Sequence, residues 1–178
     1  MDYYKEVQYI AQVDKDDTII GKIEKWEAHK KGILHRGYTA ILMHKENVIV
    51  QHRKHPLFDD VFDLTFSSHH IYQGDALQTN EQALYEGLLR EWGMESSHIM
   101  TPPKLIDKAY YKAHDEKSTY TEHEIDYIFL VKLDKVPLAN PDFAYGYELI
   151  PKEVLHKKIQ ELHAKPAPWV REILGLNW

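Results

Sequence analysis

Three carboxylates alternate along a segment whose later part is strongly apolar. Glu122, Glu124 and Asp126 are spaced by two residues, and the same spacing continues into Ile128 and Leu130. The β-branched and aromatic residues of this segment predict a β-strand, in which residues spaced by two share one face. Carboxylates that extend an apolar face into a core must be paired, protonated or bound to a metal ion. The strand is therefore the first candidate for a functional site.

Another carboxylate, Glu91, lies near the end of a predicted helix over residues 80–92. The helix is predicted to begin after Thr79, which forms a capping box with Gln82, and to end at Gly93. Glu91 follows the apolar stripe on nearly the same side. Taken alone, this pattern fits an amphipathic helix whose last turn tolerates an acid.

The composition excludes several classes of site. The chain has 178 residues and no cysteine, which rules out disulfides, thiolate zinc sites and cysteine nucleophiles. Its net charge of −6 gives no basic surface for nucleic acid or an anionic membrane, so neither is expected as a partner. No segment is apolar for long enough to span a membrane, and the first residues lack the pattern of a signal peptide. We expect a cytoplasmic location.

The predicted elements indicate an α+β fold, an α/β/α sandwich with a mixed β-sheet. Residues 62–72 are predicted to be one extended segment. Pro151 is predicted to start a helix that runs to about His163, and Trp169 to open a final helix. The other predicted elements are strands over 7–13, 18–23, 34–44, 47–53, 105–113, 122–133 and 148–150 and a short helix over 24–31.

Short motifs along the chain resemble type 1 isopentenyl-diphosphate isomerase, a family with the Nudix fold. The helix ends in Arg90-Glu91-Trp92-Gly93-Met94, which is similar to the end of the Nudix signature but keeps only one of its three glutamates. The other matching motifs, in family order, are Lys25–His29, Leu34–Tyr38, Ser68–His70 with Gly74, Tyr111 ahead of Glu122–Glu124, and Pro168-Trp169. The resemblance implies a single Nudix-fold domain over residues 1–178, with an isomerase-like extension over 1–33 and C-terminal helices over 151–178.

The resemblance also implies a metal site and a catalytic site. The implied metal ligands are His29, His35, His70, Glu122 and Glu124, with Glu91 holding Mg²⁺ together with the substrate diphosphate. The first five suit an ion such as Zn²⁺, Mn²⁺ or Fe²⁺ better than Mg²⁺ alone. The implied catalytic residues are Glu124, Tyr111, Ser68 and His69, and the implied substrate-binding residues are Lys25, Arg53 and Trp169. The expected partner is a small-molecule diphosphate. For Trp169, a core role is an open alternative to shielding a cation.

The sequence departs from the family at the position of its catalytic cysteine, which is taken by Ser68, or by Ser67 if the register differs by one. A hydroxyl is a much weaker acid than a thiol. Pro56 and Gly87 also stand where the family has basic residues that grip the diphosphate. Two alternatives to an isomerase therefore stay open. One is a divergent Nudix hydrolase of a nucleoside or prenyl diphosphate, and the other is a non-catalytic domain that binds a metal or ligand.

Overall fold

The computed structural model describes residues 3–178, so Met1 and Asp2, the first residues of the expected extension, lie outside it. The strands are β1 (Tyr9–Val13), β2 (Ile19–Glu24), β3 (His35–His44), β4 (Asn47–Arg53), β5 (Phe62–Leu64), β6 (Phe66–His69), β7 (Tyr72–Gln73), β8 (Ala76–Leu77), β9 (Lys104–His114), β10 (Thr121–Leu133) and β11 (Ala144–Pro151). The α-helices are α1 (Lys25–Lys31), α2 (Asn80–Trp92), α3 (Leu155–Lys158) and α4 (Val170–Leu174). Short 3₁₀ turns cover Tyr3–Lys5, Ser96–His98, Lys152–Val154 and Ile159–Glu161.

A mixed sheet forms the centre of the molecule. Strand β10 pairs in parallel with β3 and antiparallel with β9, while β4, β6 and β1 run antiparallel to β3. Helix α2 packs on one face through Leu84 and Leu88, which contact Tyr38 and its neighbours. The C-terminal segment, including Trp169 and α4, packs on the other face around Ile128. The predicted α+β sandwich with a mixed sheet is confirmed.

Three adjacent strands form the platform for the site. In the pairing of β10 with β3, Glu124 lies opposite His35. On the other side of β3, Gly37 lies opposite His69 of β6. Because side chains alternate along each strand, these residues and Glu122 share one face of the sheet, the face that C-terminal residues cover.

The two helices predicted near the site, over residues 24–31 and 80–92, are both present, and capping residues mark their ends. Thr79 and Gln82 form the reciprocal capping box of α2, and Gly93 ends the helix with φ 58°. Helix α1 begins at the side chain of Glu24, which accepts the backbone N–H groups of two following residues, and ends at Gly32 with φ 59°. Glycine tolerates this left-handed conformation without a steric cost.

One element prediction is wrong and another is refined. Residues 62–72 are mostly extended, as predicted, but divide into short strands because β5 pairs with β4 while β6 pairs with β3. Pro151 does not start a helix but ends β11, which stays paired with β4 as far as Asn47. The segment that follows is two 3₁₀ turns around the short helix α3, in place of a continuous helix to His163. Among the helices of residues 3–178, none is long and apolar enough to cross a membrane.

Asp17 anchors the β1–β2 turn to the sheet. Its carboxylate accepts hydrogen bonds from Arg36 Nε at 2.9 Å, Lys108 Nζ at 2.6 Å and Tyr127 Oη at 2.5 Å. Burial alone would raise the pKa of Asp17, but these three donors outweigh it and hold the pKa below its usual value. Asp17 also has a positive φ of 63°, a conformation that Asp and Asn tolerate better than most residues.

We expect Asp17→Asn to lower the free energy of unfolding at pH 7 by about 1–3 kcal/mol, the size of a lost charged hydrogen-bond acceptor. The depressed pKa stabilises the fold above the unfolded value of about 3.9, and that contribution disappears as the pH falls through the folded pKa. Urea unfolding of the variant and wild type should therefore converge in acid. Asp16→Asn, at the exposed neighbour, is the matched control, and a constant difference down to pH 2 would contradict the assignment.

Candidate metal centre and active site

Helix α1 and strand β3 each present one histidine with a fixed ring orientation. His29 Nδ1 lies 2.6 Å from the carbonyl oxygen of Lys25, and His35 Nδ1 lies 2.7 Å from that of Ile33. A carbonyl only accepts, so each Nδ1 carries the hydrogen and each Nε2 keeps its lone pair in the neutral ring. Both Nε2 atoms face the same point, which is the arrangement that metal-binding histidines use.

Two glutamates and a third histidine complete the cluster. Glu122 Oε2 lies 3.1 Å from His29 Nε2 and 3.6 Å from His35 Nε2. Glu124 Oε1 lies 3.3 Å from His35 Nε2 and 2.9 Å from His69 Nε2. Ligand atoms of the three histidines and Glu122 all fall within 4.8 Å of one another. A single ion could therefore contact all of them.

Burial makes the charges of the cluster interdependent. Burial alone would lower the pKa of His35, but its hydrogen bonds to Glu122 and Glu124 raise it to about 10. Burial would likewise raise the pKa of both glutamates, yet the histidines hold Glu122 well below its usual value and Glu124 at about 2. Burial lowers the pKa of His69 to about 4, which keeps this ring neutral. The protonated ring of His35 thus lies between the two carboxylates.

The donor set fits a divalent transition metal. Within residues 3–178, His29 Nε2 and Glu122 Oε2 are buried without a well-oriented hydrogen bond, although they lie close together. His69 Nε2 and His35 Nε2 are 3.2 Å apart, a contact that requires a proton or a cation between two lone pairs. Imidazole and carboxylate ligands together suit Zn²⁺, Mn²⁺ or Fe²⁺. A metal ion bound between these nitrogen and oxygen atoms would provide the partner that their lone pairs lack.

Gly37 makes room for the cluster in the middle strand. A Cβ atom on Gly37 would lie 2.3 Å from Glu124 Oε1, far inside van der Waals contact. The carboxylate of Glu124 therefore extends over the glycine, where it contacts His35 of β3 and His69 of β6 on the far side of β3. This position requires glycine because of the close approach of a side chain.

Tyr111 and Trp169 lie beside Glu124. The Tyr111 hydroxyl donates a hydrogen bond to Glu124 Oε2, and burial with the nearby Glu124 charge raises the pKa of Tyr111 well above its usual value. The Tyr111 ring is 5.5 Å from the ring of Trp169. Trp169 is 1% exposed and its Nε1 donates to Asp63 Oδ1 at 2.8 Å. The tryptophan is therefore a core residue that also borders the site.

Comparison with known proteins agrees with this arrangement. No family profile matches the chain. Isopentenyl-diphosphate Delta-isomerase 1 of Bos taurus is 30% identical over 192 residues, covering 95% of this chain and 83% of that protein. Isopentenyl-diphosphate Delta-isomerase of Pectobacterium atrosepticum is 30% identical over 142 residues, covering 78% and 74%. The chain belongs to the isopentenyl-diphosphate isomerase family.

Solved structures identify the fold. DR0079 from Deinococcus radiodurans matches with a TM-score of 0.67 at 18% identity, over 93% of this chain and 96% of that one. A MutT NUDIX hydrolase from Burkholderia pseudomallei matches with a TM-score of 0.59 at 15% identity, over 79% and 95%. The expected Nudix fold is thus confirmed, and the isomerase relatives confirm the expectation of an enzyme.

The family position of His70 requires a correction. His69, not His70, joins His29 and His35 in the cluster. The ring of His70 lies on the other side of β6, where its Nε2 is 2.9 Å from Asn80 Oδ1. The alternation of β6 against β3 explains the difference, since only one of two adjacent residues can face the cluster. The neutral His69 next to Glu124 is also better placed as a ligand than as the substitute for the family cysteine.

The same one-residue shift applies to the serine. Ser68 faces helix α2, where its hydroxyl accepts a hydrogen bond from Arg90 Nη2 at 3.1 Å. Ser67, two residues before His69 on β6, shares the face of the cluster. The expected catalytic role of Ser68 does not agree with its placement.

The two basic residues predicted to bind substrate, Lys25 and Arg53, each have a hydrogen-bond partner within the protein. Lys25 Nζ donates to Gln8 Oε1 at 2.5 Å, and burial together with the nearby Arg90 lowers the pKa of Lys25 to about 8. Arg53 Nη1 lies 3.3 Å from Asp63 Oδ2. Both side chains are almost fully buried, at 3% and 4% exposure.

Glu91 lies outside the histidine cluster, at the end of α2. Its Oε1 accepts a hydrogen bond from Arg90 Nη2 at 3.0 Å. Burial raises the pKa of Glu91, although the nearby arginines oppose the shift. The missing arginine at Gly87 has a packing reason, since a Cβ there would lie 2.4 Å from the Tyr38 hydroxyl and 2.8 Å from Phe66. The close helix–sheet contact excludes any side chain at that position.

Two residues of the site were not singled out by the sequence analysis. Arg90 links Glu91 to Ser68, and its place beside Glu91 in the helix motif was the available signal. Asp63 bonds both Trp169 and Ser67. Asp63 lies four residues before Ser67 and six before His69, and this even spacing was the available signal, but the break between β5 and β6 hides it.

We expect Gly37→Ala to weaken divalent metal binding by about ten-fold or more, because the added Cβ displaces Glu124 from its path across β3. Isothermal titration with Zn²⁺ and Mn²⁺ measures the change. Gly146→Ala is the matched control, since a Cβ at Gly146 meets nothing within 4 Å. Unchanged affinity in Gly37→Ala would show that Glu124 takes no part in the metal site.

Proposed function

We propose that the protein is a metal-dependent isomerase that converts isopentenyl diphosphate, or a closely related diphosphate, by a 1,3-allylic proton shift. The observation that carries the proposal is the hydrogen bond from Tyr111 to Glu124, which itself contacts His35 and His69 of the group formed by three histidines and Glu122. The relatives named isopentenyl-diphosphate isomerase support the same substrate class. A small-molecule diphosphate is accordingly the proposed partner.

The proton-donating side of the site is the Tyr111–Glu124 pair. His29, His35, His69, Glu122 and Glu124 would hold the transition metal. When bound, the ion fixes the carboxylates and sets their basicity. Glu124 and Tyr111 share a hydrogen bond, so a proton held between them can move to the terminal carbon of the alkene. Exclusion of water from these buried groups strengthens each of these interactions.

Protonation of the alkene leaves positive charge on carbon, and Trp169 lies where its ring can stabilise that charge. The indole is fixed from both sides, by the Tyr111 ring and by a hydrogen bond to Asp63. An aromatic face attracts a cation by about 0.5–2 kcal/mol or more where water is excluded. The second proton then leaves from the carbon next to the new cation, towards the strand that carries Ser67.

The diphosphate has cations available near the other end of the site. Lys25 and Arg90 lie close enough for the charge of Arg90 to lower the pKa of Lys25, and Glu122 acts on the same lysine. Arg53 extends this group towards Glu91. Glu91 would hold the Mg²⁺ that neutralises charge on the diphosphate, and because one carboxylate is too few for a dedicated magnesium site, the ion would bind only together with the substrate.

One assay separates this proposal from the hydrolase and non-catalytic alternatives. The purified protein is incubated with isopentenyl diphosphate and with a panel of nucleoside diphosphate compounds, and both isomer formation and phosphate release are scored. Formation of the allylic isomer without phosphate release is the expected result. Phosphate release without isomer would replace the proposal by a hydrolase, and neither product would indicate a binding domain.

We expect the wild type to carry about one transition-metal ion per chain, as one three-histidine site holds. The double substitution His35→Ala/Glu124→Gln should remove the ion and any isomerisation with it. Elemental analysis of the purified proteins measures the metal, and His156→Ala, at an exposed histidine far along the chain, serves as the control. Equal metal content in the double variant would refute the site.

We expect Ser67→Cys to raise isomerisation by about 10²-fold, the usual contribution of a positioned acid–base group. The thiol would restore the proton-transfer group that the family has on this face of β6. Ser68→Cys is the matched control, because Ser68 faces Arg90 and should give no gain. The assay is run at saturating substrate, and background activity in a Ser67→Cys protein that binds substrate would count against an isomerase.

A further inference from the structure

Asp63 is a fully buried carboxylate that neither packing nor the metal cluster requires. It is 0% exposed. Its Oδ1 accepts hydrogen bonds from Trp169 Nε1 and from the backbone N–H of Leu64, each at 2.8 Å. Its Oδ2 accepts from Ser67 Oγ at 3.0 Å and lies 3.3 Å from Arg53 Nη1. Replacing such a buried ion pair by apolar residues is often neutral or stabilising, so stability gives little reason for Asp63.

Ser67 connects this carboxylate to the face of the metal cluster. Ser67 lies two residues before His69 on β6 and is only partly buried. Its hydroxyl also lies 2.8 Å from Thr39 Oγ1, a contact in which either oxygen can be the donor. Asp63 Oδ2 only accepts, so Ser67 is the donor in the 3.0 Å contact with Asp63. The charged carboxylate is the stronger of its two acceptors.

We propose that Asp63 is a positioning residue of the isomerase site, which accepts the hydrogen of Ser67 and thereby enables Ser67 to take the proton that the substrate loses. The inference rests on the proposed function and names the group that replaces the family thiol. A serine hydroxyl alone is a poor base. A hydroxyl whose hydrogen is already directed to a buried carboxylate can pass a proton on, in the way that a serine is activated by an adjacent base.

The proton transfers balance over one turnover. The Tyr111–Glu124 pair gives one proton to the terminal alkene carbon. At the carbon on the other side of the resulting cation, a C–H bond breaks, its electron pair forms the new double bond, and its proton moves to Ser67 Oγ. The original hydrogen of Ser67 moves to Asp63 Oδ2 in the same step. After product leaves, Ser67 and Asp63 return one proton to water, and the Tyr111–Glu124 pair regains one from water.

The absence of cysteine in the natural chain allows a direct test. Ser67→Cys introduces a single thiol, and its rate of alkylation by iodoacetamide as a function of pH gives the thiol pKa. A carboxylate that accepts the S–H hydrogen bond should hold this pKa above the ordinary value of about 8.5. Adding the Asp63→Asn substitution should lower the thiol pKa by about one pH unit or more. All variants are compared at the same metal loading.

Ser68→Cys is the matched control for this titration. Its thiol lies beside Arg90 instead of Asp63, so Asp63→Asn should leave its pKa unchanged. Equal thiol pKa values in Ser67→Cys and in the double variant Ser67→Cys/Asp63→Asn would overturn the inference. If Asp63→Asn does not fold, Asp63→Ser replaces it, because a hydroxyl can still accept the hydrogen bond from Trp169.

Turnover provides the second readout. In the protein that keeps Ser67, Asp63→Asn should lower kcat by about ten-fold or more with little change in KM. In a Ser67→Ala background, the same substitution should have little effect on kcat. Equal losses in both backgrounds would show a merely structural role and overturn the inference. A wild type without isomerisation would refute the proposed function separately, and the thiol titration would still decide whether Asp63 is the acceptor for position 67.

Discussion

The mutual neutralisation of buried histidines and glutamates on the β10–β3–β6 platform is the constraint on which the structure depends. Glu122 and Glu124 lie on a face that continues directly into the apolar core, where an unpaired carboxylate would be prohibitively costly. His29 and His35 offset that cost, each with its ring fixed by a backbone carbonyl. The histidine Nε2 atoms and carboxylate oxygens therefore converge on one point. Buried atoms without a hydrogen-bond partner, such as His29 Nε2 and Glu122 Oε2, lie at that point, where a cation could bind them.

The two faces of the sheet have different roles: one packs against helix α2, and the other carries the metal cluster. Residues of β3 and β6 that face α2 form close apolar contacts, and Gly87 allows the helix to approach Tyr38 and Phe66. Residues of the same strands that face the C-terminal segment carry the cluster. A shift of one residue exchanges the two roles, which is why Ser67 and Ser68 have unlike surroundings.

The residues beside the cluster position one another. Tyr111 donates a hydrogen bond to Glu124, and Trp169 lies beside Tyr111. The carboxylate of Asp63 accepts a hydrogen bond from Ser67. Asp63 is also the hydrogen-bond acceptor of Trp169, so one buried carboxylate orients both the indole beside Tyr111 and the serine on the face of the cluster.

The sequence by itself determined the elements and much of the site. Alternation defined β10 and its carboxylate face, and capping residues defined α2, because both signals are local. The histidine pair of α1 and β3 followed from family motifs. Only the tertiary structure decided between His69 and His70, because the face of β6 depends on its register against β3. The same holds for Pro151, which pairs with β4 as the last residue of β11. It also holds for Asp63, whose hydrogen-bond partner Trp169 lies 106 positions away in the sequence. Contacts between residues so distant in sequence are determined by tertiary packing, so local sequence patterns do not predict them.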